Sequence, residues 1–229
     1  MKDRLVYLAA RLRKSLGAPT VHAMVPRLLL SVLVAELRRR LPDAAAVNRE
    51  LHRYGFWMGD RFMAVMAKKS DLELVFPRDG RPRGMADGMR VYGAVAWYLF
   101  AGHFPEMEVR VVELEGGSAV SGVIRVEEGR DYIFTRVLSV EGVNPFYVAS
   151  GAYEAATMLA FRMLELEDRW WTLWRPLGRG GIAGYYVERG VPVEELAAYA
   201  EEEHPGFFGD VPVEVTLRLF KEYLGVEVR

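Results

Sequence analysis

The hydrophobic pattern of this chain changes period between Leu99 and Met107, and that change limits what it can fold into. Up to Leu99, apolar residues recur every three or four positions, the spacing of amphipathic helices. From Met107 the pattern alternates. Met107, Val109 and Val111 oppose Glu108 and Arg110, as in a strand with one covered face. A chain of this kind must pack helices against paired strands rather than form a bundle or a barrel alone.

Read at these periods, the first half holds four helices. Leu5, Leu8, Leu12 and Leu16 make an apolar stripe over Met1–Leu16, and Gly17-Ala18-Pro19 stops it. Val25–Leu41 is the second helix, with Pro26 near its start and Arg38, Arg39 and Arg40 at its end, where cations suit the helix dipole. Ala44–Lys68 is the third. Its Gly55 and Gly59 share a face and let another backbone approach closely, and alanine at 59 is expected to be tolerated. Asp71–Asp87, rich in Pro, Gly and charge, reads as a solvated loop before a buried helix, Met85–Phe100.

The second half begins with a β-meander: Met107–Leu114, Ala119–Val126 and Tyr132–Val140. Asn144-Pro145 opens a helix through about Glu165, with small residues Ala149, Gly151, Ala152, Ala155 and Ala156 in its first half. Arg169–Pro176 and Gly184–Val187 are strands around a glycine turn. Trp170-Trp171-Thr172-Leu173-Trp174 is apolar on both faces, so that strand is central or meets a partner. Val193–Glu203 is a short acidic helix and Val211–Leu224 a final helix or short appendage. The expected organisation is one domain over residues 1–190 with a helical extension over 191–229.

Composition narrows the chemistry. The 229 residues include no cysteine, which excludes disulfides, thiolate metal sites and a thiol nucleophile. A cytoplasmic location fits. The longest apolar run near the start is too short to span a bilayer, which needs about 20 residues, and no signal-peptide pattern opens the chain. The net charge of −1 hides an asymmetry, with residues 1–90 at +9 and the rest at −10. Of the 30 basic residues, 25 are arginine, which suits ion-pair networks and a thermostable protein. A basic half can meet nucleic acid or anionic lipid, yet no recognition helix or RNA-binding signature accompanies it, so no specific nucleic acid is expected.

No catalytic constellation is visible. His22, His52, His103 and His204 stand apart from one another and from carboxylates at ligand spacing, so no metal or other cofactor is expected. Gly178-Arg179-Gly180-Gly181 is neither a phosphate loop nor a dinucleotide fingerprint, and Ser150-Gly151 lacks the context of a nucleophile elbow. Abundant instead are methionine and aromatic residues, which fill cores and line apolar ligand cavities.

Three stretches carry a likeness to a known family. Asn48–Phe62 places Asn, Leu, Gly55, Gly59 and Arg61 at the family's intervals. Ala94–Pro105 ends in Gly102-His103-Phe104-Pro105, and Asn144–Ala156 opens with Asn-Pro and continues through Tyr and Gly. In order and spacing these resemble the small subunits of TRAPP, the transport protein particle, and their prokaryotic relatives, the 4-vinyl-reductase-type ligand-binding domains. The likeness spans roughly residues 20–190.

The resemblance implies an α+β fold with helices packed on one face of a twisted antiparallel sheet. It implies a non-enzymatic scaffold or adaptor subunit, cytoplasmic or peripheral to a membrane, linked to vesicle transport or small-GTPase regulation. The alternative is a receptor for a small hydrophobic ligand or lipid. The expected partners are a second copy or a related subunit, a small GTPase, and a noncovalently held lipid or apolar ligand. Tyr54, Met58, Phe62, Trp97, Tyr147 and Tyr153 are the candidate ligand-binding residues. The family's acylated cysteine would fall near Arg81–Met85, where this chain has none, so covalent acylation is excluded.

Overall fold

The structure, a computed structural model, describes residues 24–66, 68–101, 104–126, 134, 137 and 139–228. The expected helix over Met1–Leu16 lies outside the described residues. Helix α1 is Met24–Arg40, α2 is Ala44–Met66, α3 is the single turn Lys69–Leu72 and α4 is Pro82–Ala101. Strands β1 (Glu106–Leu114) and β2 (Gly117–Arg125) form a hairpin. Helix α5 (Phe146–Met163) leads to β3 (Trp170–Pro176) and β4 (Gly181–Glu188). Helices α6 (Val193–Glu203) and α7 (Val213–Leu219) follow, the latter running into a π-helical turn, Phe220–Leu224. The fold is α+β: an open four-stranded sheet, antiparallel throughout and ordered β1-β2-β4-β3, with helices packed against it.

The expected meander is replaced by a different pairing. β2 pairs with β4, from Ala119↔Val187 to Arg125↔Gly181, so β4 occupies the edge a third meander strand would have used. Most of the expected strand Tyr132–Val140 lies outside the described residues, and Phe134, Val137, Ser139 and Val140 belong to no strand. The loop before α4 is also shorter than expected. Pro82 begins the helix, where its missing N–H costs nothing. Asp79 Oδ1 accepts from the Arg81 N–H at 3.2 Å, and Trp170 Nε1 donates to the Gly80 carbonyl at 2.9 Å, pinning the loop to β3.

β3 is apolar on both faces although it lies at the sheet edge, because the chain itself covers both. On one face Trp174 packs against Tyr153 of α5, ring centroids 4.9 Å apart, and Tyr186 meets Phe161 at 5.1 Å. On the other, Tyr185, register partner of Leu173, meets Tyr199 of α6 at 6.2 Å and Phe207 at 5.5 Å. Helices on one face alone therefore describe only part of the sheet; the residues after 190 cover the second face beside β4.

The centre of the fold is the contact of α2 with α5, and small residues set its distance. A Cβ on Gly55 would come within 2.8 Å of the Val148 Cα, and one on Gly151 within 2.8 Å of the Phe56 nitrogen. The fully buried Asn48 fixes the entry to α5. Its side-chain amide donates to the Gly142 carbonyl at 2.8 Å, and its oxygen accepts from the Asn144 N–H at 2.8 Å. Asn144 Oδ1 then accepts from the Phe146 N–H at 3.0 Å, satisfying one of the orphan donors at the helix start.

Candidate functional site: an apolar cavity among helices

An apolar cavity of about 270 Å³ lies among α1, α2, α4 and α5. Pro26, Leu29, Leu30 and Leu33 of α1 form one wall, and Val148, Ala149, Ala152 and Tyr153 of α5 form the facing one. Met58 of α2, Trp97 of α4 and Phe134 complete it. The hollow has a simple origin. α5 presents alanines where α1 presents leucines, and the close approach of α2 and α5 at the glycines holds α5 in place. The cavity reaches the surface at Leu29, 66% exposed, and Met58, 44% exposed. Its inner end is closed by Trp97 and Tyr153, both buried.

The lining is almost free of hydrogen-bonding groups. The Tyr153 hydroxyl donates to the Gly93 carbonyl at 2.8 Å, which ties α5 to α4, and burial holds its pKa well above the usual phenol range. None of the described residues that line it is charged. Among the described residues, no group of three or more His, Asp or Glu side chains is placed to hold a metal ion. The chemistry on offer is dispersion and apolar burial.

Of the six residues expected to bind a ligand, the structure brings Met58, Trp97 and Tyr153 together and leaves three elsewhere. Tyr54, Met58 and Phe62 fall four apart on α2. At 3.6 residues per turn, such a row drifts by about 40° per step, so only the middle residue faces the cavity. Tyr54 is 37% exposed, with Arg53 beside its ring, and Phe62 is half-buried against the core. Tyr147 precedes Tyr153 by six residues, which turns it to another side of α5. There its ring meets His52 edge-on at 6.4 Å. Burial, followed by the nearby Asp210, pushes its pKa up to about 12. The α1 wall and the alanines were missed. Their signal was the row of small residues on α5 opposite a leucine run.

A second cluster lies inside the fold, unseen in the sequence. His52 Nε2 and Glu154 Oε2 are 2.8 Å apart although the residues are 102 positions apart. Glu154 Oε1 accepts from the Trp174 N–H at 2.8 Å and from Arg175 Nη1 at 2.5 Å, and Thr216 Oγ1 donates to the same carboxylate. Arg175 also donates from Nε to the Val211 carbonyl at 2.8 Å. His52, Ser150, Glu154, Arg175 and Thr216 are all fully buried.

Burial pushes the His52 pKa down, so the ring is neutral. Burial alone would raise the Glu154 pKa, but His52, Arg175 and the Trp174 N–H favour the carboxylate and hold it below the usual range. Glu154 accepts only, so His52 Nε2 carries the proton; His52 Nδ1 lies 3.2 Å from Ser150 Oγ, whose hydroxyl donates to the Tyr147 carbonyl at 3.0 Å. These groups are committed to one another, and none borders the cavity. The cluster joins α2, α5, β3 and α7 as a polar lock.

No family model matches this chain, and no curated protein does either.

Proposed function

We propose that this protein is a non-enzymatic receptor that holds a small hydrophobic ligand among α1, α2, α4 and α5, in the manner of the 4-vinyl-reductase-type domains it resembles. The observation that carries the reading is the cavity. Its described lining is uncharged, built of aliphatic and aromatic side chains, and open to solvent at Leu29 and Met58. Apolar hollows of this kind bind hydrocarbon groups, because protein interiors otherwise close to crystal-like density. A hollow of about 270 Å³ suits a small aromatic or a short chain rather than a whole lipid.

The test is titration with 1-aminoanthracene, an uncharged probe whose fluorescence rises in apolar cavities. The wild type is expected to bind it with saturation, and Ala149→Phe, which fills the hollow, is expected to abolish binding while the protein stays folded by circular dichroism. Unchanged binding by a folded Ala149→Phe overturns the assignment.

A second reading, the TRAPP-like scaffold or adaptor acting as a dimer at a membrane surface or toward a small GTPase, is favoured by one observation. Val25, Leu28, Leu29 and Val32 of α1 are exposed. Among the described residues, no helix is long and apolar enough to cross a membrane, so any membrane role in this reading is peripheral for the described part of the chain.

A further inference from the structure

The two edges of the sheet differ. At β3, six of the seven residues are buried, and the Trp174 N–H is taken by the Glu154 carboxylate. At β1, none of the nine residues is buried, and among the described residues no strand lies beyond it. Its register with β2 runs unbroken from Glu106↔Arg125 to Leu114↔Gly117, without a bulge or a proline. In an antiparallel ladder every second residue turns its N–H and C=O away from its partner. About half of β1 therefore offers backbone donors and acceptors along an edge about 30 Å long. The Val109 carbonyl accepts from Arg90 Nη2 of α4 at 2.8 Å and keeps its second lone pair.

The charge along this edge is nearly all of one sign. Glu106, Glu108 and Glu113 lie on β1 and Glu115 follows it, against Arg110, which is paired with Glu203 of α6. Glu195 of α6 adds to the same end, because its carboxylate accepts from the Glu115 N–H at 2.6 Å. Glu108 has Arg125 at 3.5 Å, an exposed pair that contributes little and is readily exchanged. Alternation puts Glu106 and Glu108 on one face of the strand. Val109 and Val111 share the other face with Met107, whose methyl lies against Gly93 of α4. Charges on an edge deter strands that cannot match them, and charges of one sign select for the opposite sign. We propose that the β1 edge docks an extended basic segment of a partner protein as an added strand. Lysine or arginine then stands at alternate positions over Glu106 and Glu108, with β-branched apolar residues between them on the α4 side. Main-chain hydrogen bonds supply the affinity of such a contact, and the alternating side chains supply the choice of partner. The cavity takes no part in it.

The probe is a fluorescein-labelled peptide, Lys-Val-Lys-Val-Thr-Val, titrated into the wild-type protein and read by fluorescence anisotropy. It is expected to bind with saturation and to slow amide hydrogen exchange in residues 106–114. The same peptide with every amide N-methylated keeps its charge but loses its donors, and is expected not to bind. The double variant Glu106→Lys with Glu108→Lys changes two exposed side chains, so its circular dichroism should match the wild type. It is expected to weaken the parent peptide about tenfold, the worth of two cross-strand charge pairs. No saturable binding of the parent peptide overturns the proposal. Equal binding of the N-methylated peptide means that charge alone holds it, and overturns strand addition, as does slowed exchange confined to other segments. Unchanged binding by the folded double variant overturns the basic character of the partner.

Discussion

Gly59 of α2 lies against the backbone of Ala152 of α5, so that a Cβ on the glycine would come within 2.8 Å of the Ala152 Cα and overlap the Ala152 carbonyl. The pattern of paired small residues foretold close approach, and the helices do meet there. It also suggested that alanine at 59 would be tolerated, and the geometry corrects this. The obstructing atoms are backbone, which cannot rotate away. Gly59→Ala is expected to lower stability by about 1–3 kcal/mol through overpacking, and Gly59→Leu by more. Thermal melts of both variants check this. An unchanged melting temperature for Gly59→Ala would mean that α2 and α5 are further apart than described.

Arg175 is the main fixed charge opposing the buried Glu154 carboxylate. Removing one member of a buried pair leaves the other uncompensated, at a cost of about 3–5 kcal/mol. Arg175→Met is therefore expected to destabilise the fold strongly. Adding Glu154→Gln to Arg175→Met should recover part of that loss, because the second change removes the stranded charge. Denaturant unfolding of the single and double variants measures the recovery, and strict additivity would argue against the pairing.

The same cluster gives the protein a direction of pH sensitivity. The folded-state pKa values of His52 and Glu154 both lie below their usual 6.5 and 4.5. In both cases the unfolded chain binds protons more readily, so stability falls as pH falls. The His52 contribution is complete above 6.5 and is lost as pH drops below it toward the depressed folded value. The Glu154 contribution is complete above 4.5 and is lost further down. Melting temperature is expected to decline from pH 7 to pH 5, and His52→Gln, which keeps a donor for Glu154, should flatten that window. A His52→Gln protein with the wild-type slope would remove His52 as the cause.

How much of this was legible follows from the range of each interaction. Helices α2 and α5 showed in the sequence because their period, their glycines and the Asn144-Pro145 start are local features. The pairing of β2 with β4 was not, since Ala119 and Val187 are joined only through the whole of α5 and β3. His52, Glu154 and Arg175 each look unremarkable in their own segments, and nothing local tells a buried carboxylate from one on a solvated face. The cavity was half legible. Trp97 and Tyr153 declared themselves by type, but a hollow is made by what is small, and Ala149 and Ala152 mark one only once α1 is known to stand opposite.

The outer face of α1 leads to a prediction about assembly. Val25, Leu28, Leu29 and Val32, at intervals of three, one and three, lie on one side of the helix and are 45–66% exposed. A continuous apolar stripe in water marks an interaction surface. A second copy is the simplest occupant, because an isologous two-fold contact needs only that one patch complement itself, and a leucine-valine stripe does so by crossing its own image. Arg38, Arg39 and Arg40 lie about two turns beyond the stripe at the end of α1, where two-fold pairing can keep their like charges apart. Analytical ultracentrifugation is expected to show a dimer for the wild type and a monomer for Leu28→Glu, with unchanged helix content. Leu12→Glu, on the N-terminal stripe outside the described residues, is expected to weaken the dimer as well. Leu29 belongs both to this face and to the cavity mouth, so dimerisation should also slow the escape of a bound probe. A wild type that is monomeric at all concentrations would overturn the dimer.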